Sequence, residues 1–196
     1  MIRWAVTGPA GGGKSTLCRL LEKRGAALVD GDALGHEVLD RPAIRDAIRS
    51  EFGDEFVNGG VVDRAALGTL VFGDTGALGR LNAITLAPIA ELAAVRFAEL
   101  DAGCRYRLAV LEAAVYFLFP PVTGVELVIT VTADPATRLA RLTNGQGLTA
   151  EQARSRITAQ KTLEEGWRQA DIVLDNSGPL VELETAAEDL WRRVRT

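Results

Sequence analysis

Two cysteines, one methionine, one histidine and three lysines are all that 196 residues hold of those types, and each scarcity narrows what the chain can be. Cys18 and Cys104 form neither a metal-type pair nor a disulfide framework. Cys18 falls in a helical pattern and reads as a small packed residue rather than a nucleophile. The lone histidine, His36, reads as solvated or packed on a helix. No extended basic run offsets the net charge of −4, which argues against a general nucleic-acid binder. No apolar run approaches membrane-spanning length; residues 109–121 are too short and end in two prolines. No signal peptide is expected, because the first strand-like run leads directly into a glycine-rich segment. An Asn-Lys-x-Asp guanine-reading segment, an internal repeat and a low-complexity tract are missing as well. These absences leave a globular chain of ordinary composition, expected in the cytoplasm as one domain with a proper core. Its expected partners are small molecules, not nucleic acid or membrane, and oligomeric state has no signature in the sequence.

Glycine is plentiful, and it clusters early. Residues 8–15 read Gly-Pro-Ala-Gly-Gly-Gly-Lys-Ser, a full match to the phosphate-binding pattern G-x-x-x-x-G-K-[ST]. The plain alternative is a glycine turn that happens to end in Lys-Ser, and the flanks speak against it. Residues 2–7 before the loop are a short β-prone run, and residues 16–21 after it have a helical apolar pattern. In the order strand, loop, helix, the backbone amides of Gly8, Gly11, Gly12 and Gly13 curl around a polyphosphate. The helix end at Thr16 adds about half a positive charge. Lys14 is expected to reach the β- and γ-phosphates and the Ser15 hydroxyl to ligate Mg²⁺. The nucleotide expected is therefore a triphosphate.

Strand-like runs recur at 2–7, 27–29, 107–111, 126–132 and 171–174 with helical patterns between them. That alternation predicts an α/β fold in three layers, a five-stranded parallel sheet flanked by helices. Residues from about 33 to 101 carry no strong strand pattern. They predict helices at 33–39, 43–52, 64–71 and 76–100, the last with Pro88 as a boundary or kink. So many helices between two strands suggest a lobe above the sheet, a natural place for an acceptor substrate. A second excursion, about 138–160, has Asn144-Gly145-Gln146-Gly147 at its tip and reads as a lid.

Acids sit where ligands gather in open α/β sheets, at strand C-termini. Asp30 and Asp32, two residues apart, can orient or deprotonate a hydroxyl nucleophile and hold Mg²⁺; Asp32 can equally cap the next helix. Glu112 ends the third strand, where it would support Mg²⁺ through water or meet the acceptor, or simply be solvated. Arg138 and Arg141 share a helix face and could stabilise triphosphate charge as a lid closes; an arginine-decorated surface is the competing account.

At this point the chain resembles the dephospho-coenzyme A kinases. The likeness rests on the loop 8–16, on Leu28-Val29-Asp30-Gly31-Asp32-Ala33, on Asp63-Arg64-Ala65-Ala66-Leu67 through Phe72, on Gln160, and on Ala170-Asp171-Ile172-Val173-Leu174-Asp175-Asn176-Ser177-Gly178. The resemblance implies a P-loop kinase fold like that of nucleoside-monophosphate kinases, spanning 1–196 with core, helical acceptor lobe and lid. It implies MgATP as donor and the ribose 3′-hydroxyl of dephospho-CoA as acceptor. It also implies Asp30 as base, Lys14 and Ser15 as phosphate and metal contacts, Arg64 on the acceptor side, and Asn176 in a turn near the adenine. The chain departs from the family's usual residues at Ala87, at Leu118 and at Gly145-Gln146. Two further readings stay open on the residues alone: a kinase of this architecture with another small hydroxyl or nucleotide acceptor, and a nucleotide-binding regulator with little kinase activity.

Overall fold

In this computed structural model the described residues are 1–195, the side chains of Phe72, Gln146 and Arg195 excepted. Five parallel strands form the sheet: β1 (Ile2–Thr7), β2 (Ala27–Asp30), β5 (Leu108–Glu112), β6 (Leu127–Thr132) and β7 (Ile172–Asp175), in the order β2-β5-β1-β6-β7. Parallel strands buried on both faces are built from nearly continuous apolar runs. β5 follows that rule closely, with Leu108, Ala109, Val110 and Leu111 all fully buried.

Alternate residues feed two cores. On one face Trp4, Val6, Val110, Ile129 and Val131 pack against α1 (Lys14–Glu22) and α9 (Leu180–Arg195). Cys18 is buried in this cluster. On the other face Ala27, Val29, Ala109 and Leu111 meet Leu34 and Val38 of α2 (Gly31–Leu39) and Ala93 and Phe97 of α5 (Thr75–Ala102). Helices on both sides of the sheet give the three layers.

A third apolar cluster is separate from the sheet. It joins Ile48 of α3 (Pro42–Phe52), Leu67 and Val71 of α4 (Arg64–Gly73), and Ala77 at the start of α5. Val57 and Val62 complete it from a small antiparallel hairpin, β3 (Val57–Asn58) and β4 (Val61–Val62). No strand pattern was expected here. Strands of two residues are too short to show alternation, and the signal that does exist is the turn itself. Gly59 and Gly60 both hold positive φ, 57° and 80°, as a tight two-residue hairpin turn requires.

α5 runs unbroken through Pro88, although proline cannot donate to the carbonyl four residues back. Its length and composition would suffice to cross a membrane, contrary to the expectation that no apolar run is long enough; charged residues interrupt the run without ending the helix. The second half of α5 is a core helix covering β2 and β5. Finally α6 (Pro135–Gln146) and α7 (Ala150–Ala159) pack on each other and on the loop after β1 through Leu142, Ala153 and Ala10.

Phe97 is fully buried where α5 meets the sheet. Phe97→Ala is expected to lower unfolding stability by about 3–5 kcal/mol, read as a reduced urea midpoint with an unchanged slope.

Candidate active site

The loop between β1 and α1 is shaped by bonds from behind it. Gly12 N donates to Pro9 O at 3.0 Å, closing the first turn, and the amides of Thr16 and Leu17 both donate to Gly13 O at 3.0 Å. Gly13, the N-cap of α1, holds φ 110°, and a Cβ there would collide with the Asn176 side chain; only glycine fits. Asn176 is buried, and its Nδ2 donates to Gly12 O at 2.9 Å. Arg141 reaches across from α6 to Gly11 O at 3.3 Å and to Asn176 O at 2.8 Å. Arg138, one turn earlier, is buried and its Nε donates to Ala10 O at 3.0 Å. Gln160, just past α7, accepts the Ala10 amide at 2.8 Å.

With the loop carbonyls occupied in this way, the amides of Gly11, Gly13, Lys14 and Ser15 have no acceptor among the described residues. They mark the concave side, beside the N-terminus of α1, where an anion is favoured. Lys14 lies there too, its Nζ 3.2 Å from Pro9 O. Burial pulls the Lys14 ammonium below its ordinary value, while the negative charges of Glu112 and Asp32 pull it back up; Arg156 adds to the downward push. A cation that is desolvated yet flanked by acids is poised to meet a phosphate.

Asp30 and Glu112 are register partners at the C-terminal ends of β2 and β5, so their side chains leave the sheet on the same side. Glu112 Oε1 accepts the Ser15 hydroxyl at 2.6 Å. The cap of α2 comes from Asp30, not Asp32. The helix begins at Gly31, two residues earlier than the sequence suggested, so position 30 holds the cap. Asp30 Oδ1 accepts the amides of Asp32 and Ala33 at 2.9 and 3.2 Å, which fixes the carboxylate through one of its two oxygens. Asp32 is exposed. Burial pushes the Cys18 thiol well above its ordinary value, and the negative charge of Glu112 beside it pushes the same way; it stays a neutral packed thiol.

Arg64 lies apart from the loop, at the start of α4. Its Nη2 sits 3.0 Å from both oxygens of Asp40 and 3.3 Å from the carbonyl of His36, joining α4 to α2. His36 itself is exposed, as are Ala87 and Leu118. Leu118 lines a cavity of about 200 Å³ with Val115, Phe117, Leu163, Trp167 and Gln169. Gly145 has open space around it; the side chain of its neighbour Gln146 is outside the described residues. No group of three or more metal-ligating side chains occurs among the described residues. The residue the sequence reading passed over is Arg156, whose charge reaches Lys14 from α7. Its spacing of four from Gln160 puts both on the face turned to the loop, a signal that could have been read.

Sheet order and loop together place the protein among the P-loop kinases. A shikimate kinase from Bacteroides thetaiotaomicron shares the fold across the whole chain, with TM-score 0.55 at 14% identity, covering 100% of this chain and 99% of that one. More specific likenesses follow. The family model for dephospho-CoA kinase matches residues 3–182. A dephospho-CoA kinase of Geobacter sulfurreducens is 35% identical over 190 residues, 96% of each chain. A solved structure from Thermus thermophilus superposes with TM-score 0.76 at 32% identity, covering 98% of this chain and 97% of the other. The chain belongs to the dephospho-CoA kinase family.

Two measurements follow from this geometry. Because burial lowers the Lys14 pKa, the alkaline limb of kcat/KM for ATP is expected to set in below the range of an ordinary lysine, as the ammonium is lost with rising pH. Asn176→Ala leaves the Gly12 carbonyl without its donor and is expected to cost about 1–3 kcal/mol, read as a lower melting temperature and a weaker affinity for ATP.

Proposed function

We propose that this chain transfers the γ-phosphoryl group of ATP to the ribose 3′-hydroxyl of dephospho-CoA, giving CoA and ADP. The observation that carries the reading is a complete phosphate loop with two register-paired carboxylates beside it, in a chain of the dephospho-CoA kinase family along nearly its whole length. That membership favours dephospho-CoA over another acceptor and favours catalysis over mere nucleotide binding.

Each role rests on a side chain already placed. The amides of Gly11, Gly13, Lys14 and Ser15 receive the polyphosphate, with Gly8, Gly12 and Thr16 completing the turn around it. Lys14 takes the charge that moves toward the leaving oxygen. Asp30, anchored through Oδ1, orients the acceptor hydroxyl and takes its proton through Oδ2. The attack is in line, so positioning and electrostatics supply most of the acceleration. Arg138, Arg141 and Asn176 act on ATP by holding the loop, with Asn176 and Arg141 also bordering the side where the base would lie.

The oxygen donors here suit a hard cation with few protein ligands. Ser15 and Asp32 would hold Mg²⁺, with Glu112 next to Ser15, and the ion would neutralise charge on the phosphates. The separate cluster of α3, α4 and the hairpin, within residues 33–101, serves as the acceptor lobe, with Arg64 on its cleft side. Residues 138–160 serve as the lid that keeps water from the transferring group. The cytoplasm is the compartment this reading assigns.

Dephospho-CoA is expected to stimulate ADP release, with a product heavier by one phosphoryl group; release without stimulation would remove this acceptor. Asp30→Asn keeps an oxygen for the helix cap, since asparagine caps as well as aspartate. Turnover is expected to fall by about 10²–10⁴ with ATP affinity nearly intact. Unchanged turnover would take Asp30 out of the mechanism.

A further inference from the structure

Arg138 is the least explained charge in the molecule. Its residue is 5% exposed, and its Nε is engaged by the carbonyl of Ala10 at 3.0 Å. Its Nη2 is shut off from solvent and has no hydrogen-bond partner among the described residues. Guanidinium donors are normally satisfied when buried, and an unsatisfied one is costly, the more so for a charged group. A cost of that kind persists in one conformation when another conformation relieves it.

The surroundings identify the group that would relieve it. Glu164, at the start of α8 (Glu164–Trp167), is the carboxylate whose charge acts on Arg138, yet the two form no ion pair. The Glu164 side chain is 43% exposed and only loosely engaged, with Arg168 at 3.6 Å. Four residues before it, Gln160 accepts the Ala10 amide at 2.8 Å. One residue of the phosphate loop, Ala10, is thus gripped by Arg138 on its carbonyl and by Gln160 on its amide, while the Ala10 methyl is buried with Leu142 and Ala153.

We propose that Arg138 is a positioning residue that couples the base of the lid to the phosphate loop, its idle Nη2 pairing with Glu164 when nucleotide fills the loop. The pair adds Glu164 to the hold that Gln160 already has on Ala10 and keeps the loop amides toward the phosphates. Nucleotide binding and lid position are then linked, each favouring the other by the same factor. The inference rests on the reading that the loop binds ATP.

The test is a double-mutant cycle run with and without a non-hydrolysable ATP analogue. Glu164→Gln is expected to weaken analogue binding about tenfold, Arg138→Gln at least as much because it also frees the Ala10 carbonyl, and the double variant no further than Arg138→Gln alone. Without nucleotide, Glu164→Gln is expected to melt as the unmodified protein does, which a merely structural ion pair would not allow. Glu164→Asp is expected to recover part of the loss. Unchanged analogue affinity in Glu164→Gln, or strictly multiplicative losses in the double variant, would overturn the coupling. Glu164 is partly exposed, so its variants decide the matter even if Arg138→Gln does not fold. Failure of the unmodified protein to bind the analogue would instead remove the ATP reading itself, and this inference with it.

Discussion

Five consecutive carbonyls, from Pro9 to Gly13, are each claimed by a donor, and the rest of the site depends on that arrangement. Gly12 and Lys14 take the Pro9 oxygen, Arg138 takes Ala10, Arg141 takes Gly11, Asn176 takes Gly12, and the first amides of α1 take Gly13. A peptide plane whose oxygen is fixed on one side presents its N–H on the other. For the three middle carbonyls, Ala10 to Gly12, the donors come from α6 and from the turn after β7, elements far from the loop in sequence. An anion site made of backbone groups is therefore a tertiary property, even though the glycines that permit it are contiguous.

Charge balance completes the arrangement. Lys14 is largely desolvated, a state that disfavours its positive charge, and Glu112 and Asp32 offset part of that cost. Glu112 also holds the Ser15 hydroxyl, while Asp30 is pinned by helix amides. One strand end thus holds the serine of the phosphate loop, and its neighbour presents a second carboxylate beside it. The two are separated by a single interstrand spacing because β2 and β5 are adjacent and in register.

Much of this was readable from residues alone. The five strands were visible because buried parallel strands need unbroken apolar runs, and the loop because its glycines, lysine and serine have fixed spacing. Asp30 was visible as an acid at a strand end. Less visible was the role of Asp30 as helix cap, because both acids of Asp30-Gly31-Asp32 have capping chemistry and only the backbone decides between them. The hairpin at Gly59-Gly60 was hidden by strands too short to alternate. Arg138 and Arg141 could be put on one helix face, but their targets, the loop carbonyls, follow from how α6 packs against residues 9–12. Arg156 had only its spacing of four from Gln160 to mark it, and its approach to Lys14 depends on the α6–α7 packing.

α5 takes part in two cores, which also meet at Ile44. Its first turns close the cluster of α3, α4 and the hairpin, and its second half covers the catalytic sheet, with Pro88 between them. A substitution at one end of α5 thus answers to a different set of neighbours from one at the other end, so a single helix carries two separate packing constraints.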